Sequence, residues 1–175
     1  MRFIYLSKTS ETIFKTKDST YKFFEEFIKG TRKTFNIKMD GTKKPIDKDK
    51  FKKGEDLFFV IIEDLKKEKV KIVAYCKSKT ELLESNDVNY PIYFEPAINT
   101  IKIFKDGIDI DLFNNFVYRN KIREKEDYFT SFICDGKTKG SPSWRWFNDE
   151  ESIQIMEWFK EVVFKNYNFF ETVKK

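Results

Sequence analysis

Two consecutive apolar runs in the middle of the chain constrain its fold most. Residues 56–63 (DLFFVIIE) and 70–76 (VKIVAYC) are nearly unbroken apolar segments of strand length, and a short charged connection, DLKKEK, joins them. Strands this apolar are typically buried on both faces, or they line a closed barrel. We therefore predict that these two segments are buried strands.

Shorter segments on both sides of this pair complete the predicted fold. Further strands are predicted over residues 2–6, 92–96, 100–104 and 128–134, with turns around 97–99 and at Asp106-Gly107. Predicted helices are one capped by Asp18 or Ser19 and ended by Gly30, one over residues 109–118, and one capped by Asn148 with Glu151 three residues later. This order predicts an α+β fold, an antiparallel or mixed barrel-like sheet with helices packed on its outside.

Composition limits the classes of function. At 175 residues the chain suits one domain, 1–175, and its 20 Phe provide a large aromatic core. No histidine is present, which excludes Ser-His-Asp, Cys-His and His–metal chemistry and favours a non-catalytic protein without metal or cofactor. Neither a secretory signal nor a run of about 20 apolar residues is visible, so we expect a cytoplasmic protein with no membrane partner.

The segment SPSWRWF contains the most suggestive aromatic residues. In an extended strand Trp144 and Trp146 would share one face and Arg145 would lie on the other. Exposed indoles can stack on nucleobases, and an adjacent Arg can hold a phosphate. The alternative is that both indoles are core residues, packed between the sheet and the last helix.

Two basic segments are candidates for contact with a nucleic-acid backbone. Residues 29–53 carry ten Lys or Arg against three Asp, and Arg32 and Lys33 are among them. Arg119, Lys121 and Arg123 alternate at strand spacing, so an extended segment would present three cations on one side. Either segment could instead be a solvated surface, the second one paired with Glu124 and Glu126.

Several motifs taken in order resemble a known superfamily. They are Lys52-Lys53-Gly54-Glu55 before an apolar strand, the strand VKIVAYCKS, a strand opened by Tyr90-Pro91, and the N-terminal RFIYLSKTSE followed by IFKT. This succession resembles the PUA-like superfamily, in particular its EVE and YTH branches. The resemblance implies a curved sheet that binds nucleic acid and holds one base, often methylated and flipped from the duplex, in an aromatic pocket.

The resemblance also assigns residues and partners. Phe14 takes the place of the first cage aromatic, and Ser7 and Ser10 lie in the matching loop. Lys15, next to Phe14 in the sequence, is a separate candidate for contact with the nucleic-acid backbone. The loop 78–91, with Leu83 and Tyr90, would supply the opposite wall. DNA is the expected ligand, ahead of RNA. A fused or associated AAA+ motor and nuclease would complete a modification-dependent, McrBC-type restriction system.

Two other classes of function remain open at this point. Asp56, Glu63, Asp64 and Glu68, with Lys71, approach the acidic-plus-Lys arrangement of a Mg²⁺-dependent nuclease, although Glu68 and Lys71 are one residue further apart than in Glu-x-Lys. The chain could also be a protein-interaction module of a defence system.

Overall fold

The computed structural model describes residues 1–6, 17–37, 51–64, 69–123 and 144–166, which form a mixed α+β fold with two sheets. The strands are β1 Arg2–Leu6, β2 Phe35–Ile37, β3 Asp56–Asp64, β4 Lys69–Ser78, β5 Leu83–Glu84, β6 Ile92–Phe94, β7 Pro96–Asp109 and β8 Trp144–Trp146. The helices are α1 Lys17–Ile28, α2 Ile110–Arg119, α3 Asp149–Trp158 and the short α4 Phe164–Asn166, with a π-helical turn, Phe159–Val163, joining the last two.

The larger sheet has the strand order β7-β4-β3-β1-β8. Strands β1 and β3 run parallel, and the other neighbours are antiparallel. The two apolar runs are β3 and β4, which confirms that both are buried strands. Within the described residues β7 and β8 are the outer strands, so the predicted barrel-like closure is wrong for this part of the chain. A second sheet, β2-β6-β5, is separate from it.

Within the described residues, both faces of the larger sheet are buried. On one face α2, α3 and the π-helical turn pack against it, with Phe159 stacked on Phe58 at 4.1 Å and Phe3 stacked on Phe58 at 5.0 Å between ring centres. On the other face α1 and the small sheet cover it, and Phe24 meets Phe59 at 4.7 Å. Two covering layers bury the apolar surface that a barrel would have enclosed.

Strand β7 differs from the prediction in an informative way. The predicted strand 92–96 is largely β6, but the predicted turn around 97–99 and the break at Asp106-Gly107 both lie within β7, one strand of 14 residues. The pairing of β7 with β4 shifts register twice, once on each side of the two pairs Ala74–Ile103 and Tyr75–Lys102. The turn-forming residues therefore lie in bulges. Gly107 has φ +66°, and a Cβ there would lie 2.9 Å from Lys71 Cδ.

Helix α1 covers the outer edge of β7. The hydroxyl of Tyr21 lies 2.7 Å from the carbonyl oxygens of both Phe104 and Lys105. An uncovered edge strand invites pairing with another chain, so this contact protects the edge.

The helix-boundary signals are confirmed in two of three cases. Gly30 follows α1 with φ +76°, and the Asn148–Glu151 capping box is present at α3. Helix α1 begins at Lys17, however, so the predicted caps Asp18 and Ser19 lie inside it. The predicted strand 128–134 lies outside the described residues. In the described segments no helix is long and apolar enough to cross a bilayer.

Candidate nucleic-acid interface

The Lys52–Glu55 motif is a structural turn that joins three strands of the larger sheet. Gly54 has φ +83° and donates its N–H to the carbonyl of Ser78, while the Glu55 N–H donates to Ser78 Oγ. The carboxylate of Glu55 accepts from the Lys52 N–H and lies 3.0 Å from Arg2 Nε, an ion pair rather than a well-aligned hydrogen bond. The Met1 ammonium lies 3.3 Å from the same carboxylate oxygen. This turn therefore ties the start of β3 to β1 and to the end of β4.

The same turn brings four exposed lysines to one end of the sheet, and we call them the lysine rim: Lys52, Lys53, Lys77 and Lys79. The hydroxyl of Ser78 donates to the Lys52 carbonyl at 2.9 Å, which places both backbone segments side by side. Lys77 lies 3.7 Å from Asp56, and Lys79 lies 2.6 Å from Glu95. Four cations thus face two carboxylates, and the rim is locally positive.

Lys77 and Lys79 are not among the residues that the sequence singles out. A signal existed in the alternation of Lys77-Ser78-Lys79 directly after an apolar strand, but its significance depends on the neighbouring turn 52–55.

Trp146 lies on the edge strand β8 at the same end of the sheet. Trp146 pairs with Arg2 of β1, and Arg2 pairs with Leu57 of β3, the strand that follows Lys52 and Lys53. One strand, β1, therefore lies between β8 and β3. Two strand spacings amount to about 10 Å. The side chain of Trp146 is 40% exposed. Its pairing places the indole on the same face of the sheet as Leu57, which is the face opposite the last helix. The alternative of packing against that helix therefore does not hold for Trp146, and much of its side chain is accessible to a ligand.

The backbone around Trp146 is firmly held. Arg123 donates from Nη2 to the Trp146 carbonyl at 2.8 Å, and the Phe147 N–H donates to the Met1 carbonyl at 3.0 Å. The capped start of α3 follows at once. Strand β8 is extended, as the predicted shared face of positions 144 and 146 requires. The side chains of Trp144 and Arg145 lie outside the described residues.

The predicted row of three cations does not form, because the segment is not extended. Arg119 is the last residue of α2, and Lys121 has φ +53° in the turn that follows. Arg119 and Lys121 are exposed, whereas the guanidinium of Arg123 lies 4.3 Å from the ring centre of Phe147. The alternating spacing of Arg119, Lys121 and Arg123 therefore belongs to a helix end and the turn that follows it, and does not indicate a strand.

Arg123 has a structural partner. Its Nε lies 2.8 Å from Glu151 Oε1 and its Nη2 lies 3.0 Å from Oε2, a two-point contact. Burial raises the pKa of Glu151, but hydrogen bonds from Arg123 and from the Asn148 backbone, with the Arg123 charge, lower it more, so the pKa lies below its ordinary value. The expected partners Glu124 and Glu126 lie outside the described residues.

Arg32 and Lys33, from the other basic segment, follow the end of α1. Arg32 Nε lies 2.7 Å from Glu26, and its guanidinium lies 4.5 Å from the ring centre of Phe23. Arg32 therefore stabilises the end of α1, whereas Lys33 is exposed. Residues 38–50 of this segment lie outside the described residues.

Leu83 and Tyr90 are exposed at the small sheet. The loop between β5 and β6 is ordered by its own side chains, because Asp87 Oδ1 accepts from the N–H of Asn89 at 2.8 Å and Ser85 Oγ accepts from the N–H of Asp87 at 3.1 Å. Leu83 belongs to the small sheet and Tyr90 to its β5–β6 loop, whereas Trp146 belongs to the larger sheet. The other predicted wall, with Ser7, Ser10, Phe14 and Lys15, lies outside the described residues.

The acidic residues of the nuclease alternative do not converge where the structure describes them. Asp56 and Asp64 begin and end the nine-residue strand β3, so about 26 Å separates them. Asp56 instead accepts a hydrogen bond from the Tyr75 hydroxyl at 2.6 Å. Burial, followed by this contact, raises the pKa of Tyr75. Within the described segments no three acidic or Cys side chains are grouped to hold a metal ion.

A scan against protein-family models finds none that matches this chain, and a search of curated proteins finds no match. The EVE- and YTH-type resemblance accordingly stays a prediction drawn from the motifs quoted above.

Proposed function

We propose that this chain binds nucleic acid through the lysine rim and Trp146. The observation that carries the proposal is the indole, 40% exposed on an edge strand at the same end of the sheet as four exposed lysines. An aromatic face offers a stacking platform for a base, and lysines offer point charges for phosphates.

The restraint of β8 supports a binding role for the indole. Its backbone is fixed by pairing with β1, by Arg123 and by the capped start of α3. A side chain on a fixed backbone loses less entropy when it binds a ligand. Base–aromatic stacking contributes about 1–3 kcal/mol per base, which is enough to give Trp146 a measurable share of the affinity.

The electrostatics of the rim predict the dependence on salt. Each phosphate neutralised by a lysine makes the slope of log affinity against log salt concentration more negative by about 0.7–0.9. If all four lysines contact phosphates, the slope is about −3. Asp56 and Glu95 lie beside Lys77 and Lys79 and reduce the contribution of those two, so Lys52 and Lys53 carry the larger part.

The finer form of the proposal concerns the base. It is that the ligand is DNA, that the stacked base is methylated and removed from its duplex, and that the chain supplies specificity to a modification-dependent restriction system. The motif resemblance supports this form. Its pocket would need Phe14, Ser7 and Ser10 beside Trp146.

The test is fluorescence-polarisation binding to labelled oligonucleotides: single-stranded DNA and RNA, an unmodified duplex, and matched duplexes with N6-methyladenine or 5-methylcytosine. The variants are Trp146→Ala and the double change Lys52→Glu with Lys53→Glu. The matched control changes Lys105 and Lys160, both exposed elsewhere, to Glu. Each double variant lowers the net charge from +5 to +1, since each Lys→Glu change subtracts two and 5 − 4 = 1.

We expect Trp146→Ala to weaken binding about ten- to a hundredfold without a large loss of thermal stability. The Lys52/Lys53 variant should reduce the salt slope by about 2, and the control should retain most of the affinity. Equal weakening by both double variants would show that net charge alone attracts the ligand. Absence of salt-dependent binding to every oligonucleotide would refute the proposal, and equal binding to all the duplexes would refute its finer form.

A further inference from the structure

Helix α2 presents an outward face that combines apolar and charged residues. Ile110, Phe113, Asn114 and Val117 face the core. The outward positions are Asp111, Leu112, Asn115, Tyr118 and Arg119, with Leu112 40% and Tyr118 52% exposed. At 3.6 residues per turn these five positions lie within about 60° of Asn115 and form one stripe.

The stripe has a symmetric arrangement about Asn115. Asp111 lies four residues before it, and Arg119 lies four residues after it. Leu112 lies three residues before it, and Tyr118 lies three residues after it. When two copies of α2 lie antiparallel, Asp111 of one is therefore level with Arg119 of the other, and Leu112 of one is level with Tyr118 of the other.

No ion pair among the described residues accounts for the positions of Asp111 and Arg119 in this arrangement. Asp111 and Arg119 are about 12 Å apart along the helix axis, and neither forms an ion pair in the described segments. An acid in the first turn and a base in the last turn are favoured by the helix dipole. The dipole gives no reason for Leu112 and Tyr118 to be exposed beside them.

We propose that a second copy of this chain binds here, with its α2 antiparallel to the first and a two-fold axis passing near Asn115. At each end of the contact, Asp111 and Leu112 of one copy meet Tyr118 and Arg119 of the other. A two-fold interface must be complementary to itself, and the stripe meets this requirement in both charge and apolar character.

Neighbouring aromatic residues widen the contact. Phe116, one turn after Leu112, stacks on Trp158 of α3 with ring centres 4.8 Å apart and an interplanar angle of 15°. Both rings are half-buried, and Val162, one turn beyond Trp158, is exposed. This apolar strip lies alongside the stripe, so a second copy would bury part of it as well.

The test is sedimentation equilibrium without nucleic acid, from micromolar to millimolar protein. The wild type should shift from 21.1 kDa towards twice that mass, 42.2 kDa. Asp111→Arg places two arginines together at each end of the contact, and Arg119→Asp places two aspartates together. Each single variant should raise the dimer dissociation constant by about tenfold or more. The control Asp106→Arg makes the same charge change at an exposed position outside α2.

Mixing the two single variants provides the decisive measurement. One copy then carries Arg at both positions and the other carries Asp at both, so opposite charges meet at each end and a heterodimer should form. Circular dichroism establishes that each variant is folded. A wild type that stays at 21.1 kDa throughout the series overturns the proposal. So does a wild-type dimer that both variants leave intact, or a mixture that remains monomeric.

Discussion

Replacing Glu55 by Gln should destabilise the protein strongly, although the side chain keeps its shape. Only 5% of the Glu55 side chain and 4% of the Arg2 side chain are exposed, and the two charges lie 3.0 Å apart. The substitution removes the negative charge and leaves the guanidinium buried without it. The loss therefore comes from the charge–charge contact removed between two buried groups rather than from a missing packing contact.

The magnitude follows from the burial of the pair. Breaking a buried ion pair by removing one partner costs about 3–5 kcal/mol of unfolding free energy. In a protein of this size each kcal/mol lowers Tm by about 2–4 °C. We therefore expect Tm to fall by about 6–20 °C.

Urea denaturation and thermal melting followed by circular dichroism measure this change. Glu95→Gln is the matched control, since Glu95 pairs with the largely exposed Lys79 and an exposed pair contributes below about 1 kcal/mol. A loss of less than about 1 kcal/mol for Glu55→Gln would contradict the reasoning, because it would mean that water reaches the guanidinium of Arg2.

Three further predictions concern single groups. The pKa of Glu151 is lowered beside Arg123, so its contribution to stability is complete above the ordinary carboxyl pKa of about 4.3 and is lost as the pH falls through the lowered pKa. Urea titrations from neutral to acid pH should show this loss of unfolding free energy. The variant Glu151→Gln should depend less on pH over the same range. Gly107→Ala should lower the unfolding free energy by about 1–2 kcal/mol because of the left-handed backbone, and by more because the new Cβ would clash with Lys71. In thermal melts its loss of Tm should therefore exceed that of Gly30→Ala, where a Cβ would meet no atom within 4 Å. Burial raises the pKa of the Cys76 thiol, so alkylation followed by peptide mass spectrometry should label it only on unfolding.

Much of the fold could be predicted from local signals. The unbroken apolar runs identify β3 and β4, and the capping box identifies α3. These signals depend on residues a few positions apart, so they can be recognised without knowledge of the rest of the chain. The predicted turns in β7 show where such signals fall short. Gly107 favours a turn and a bulge alike, and only pairing with β4 selects the bulge.

The candidate site could be predicted only in part. Alternation along a strand is a local property, so the sequence alone could single out Trp146. The contact between Arg123 and Glu151 could not be predicted, because the two residues are 28 positions apart and no local pattern reports such a contact.

By itself, the sequence determined that β3 and β4 are buried strands, where the three longer helices lie, and that no histidine is present. The tertiary structure decided that β1 joins β3 in parallel, that both sheet faces are covered, and that residues 52–53 and 77–79 form one positive rim. The physical reason is that periodicity and capping depend on near neighbours. Which distant segments meet depends on the order of strands and on the face of the sheet that each side chain occupies.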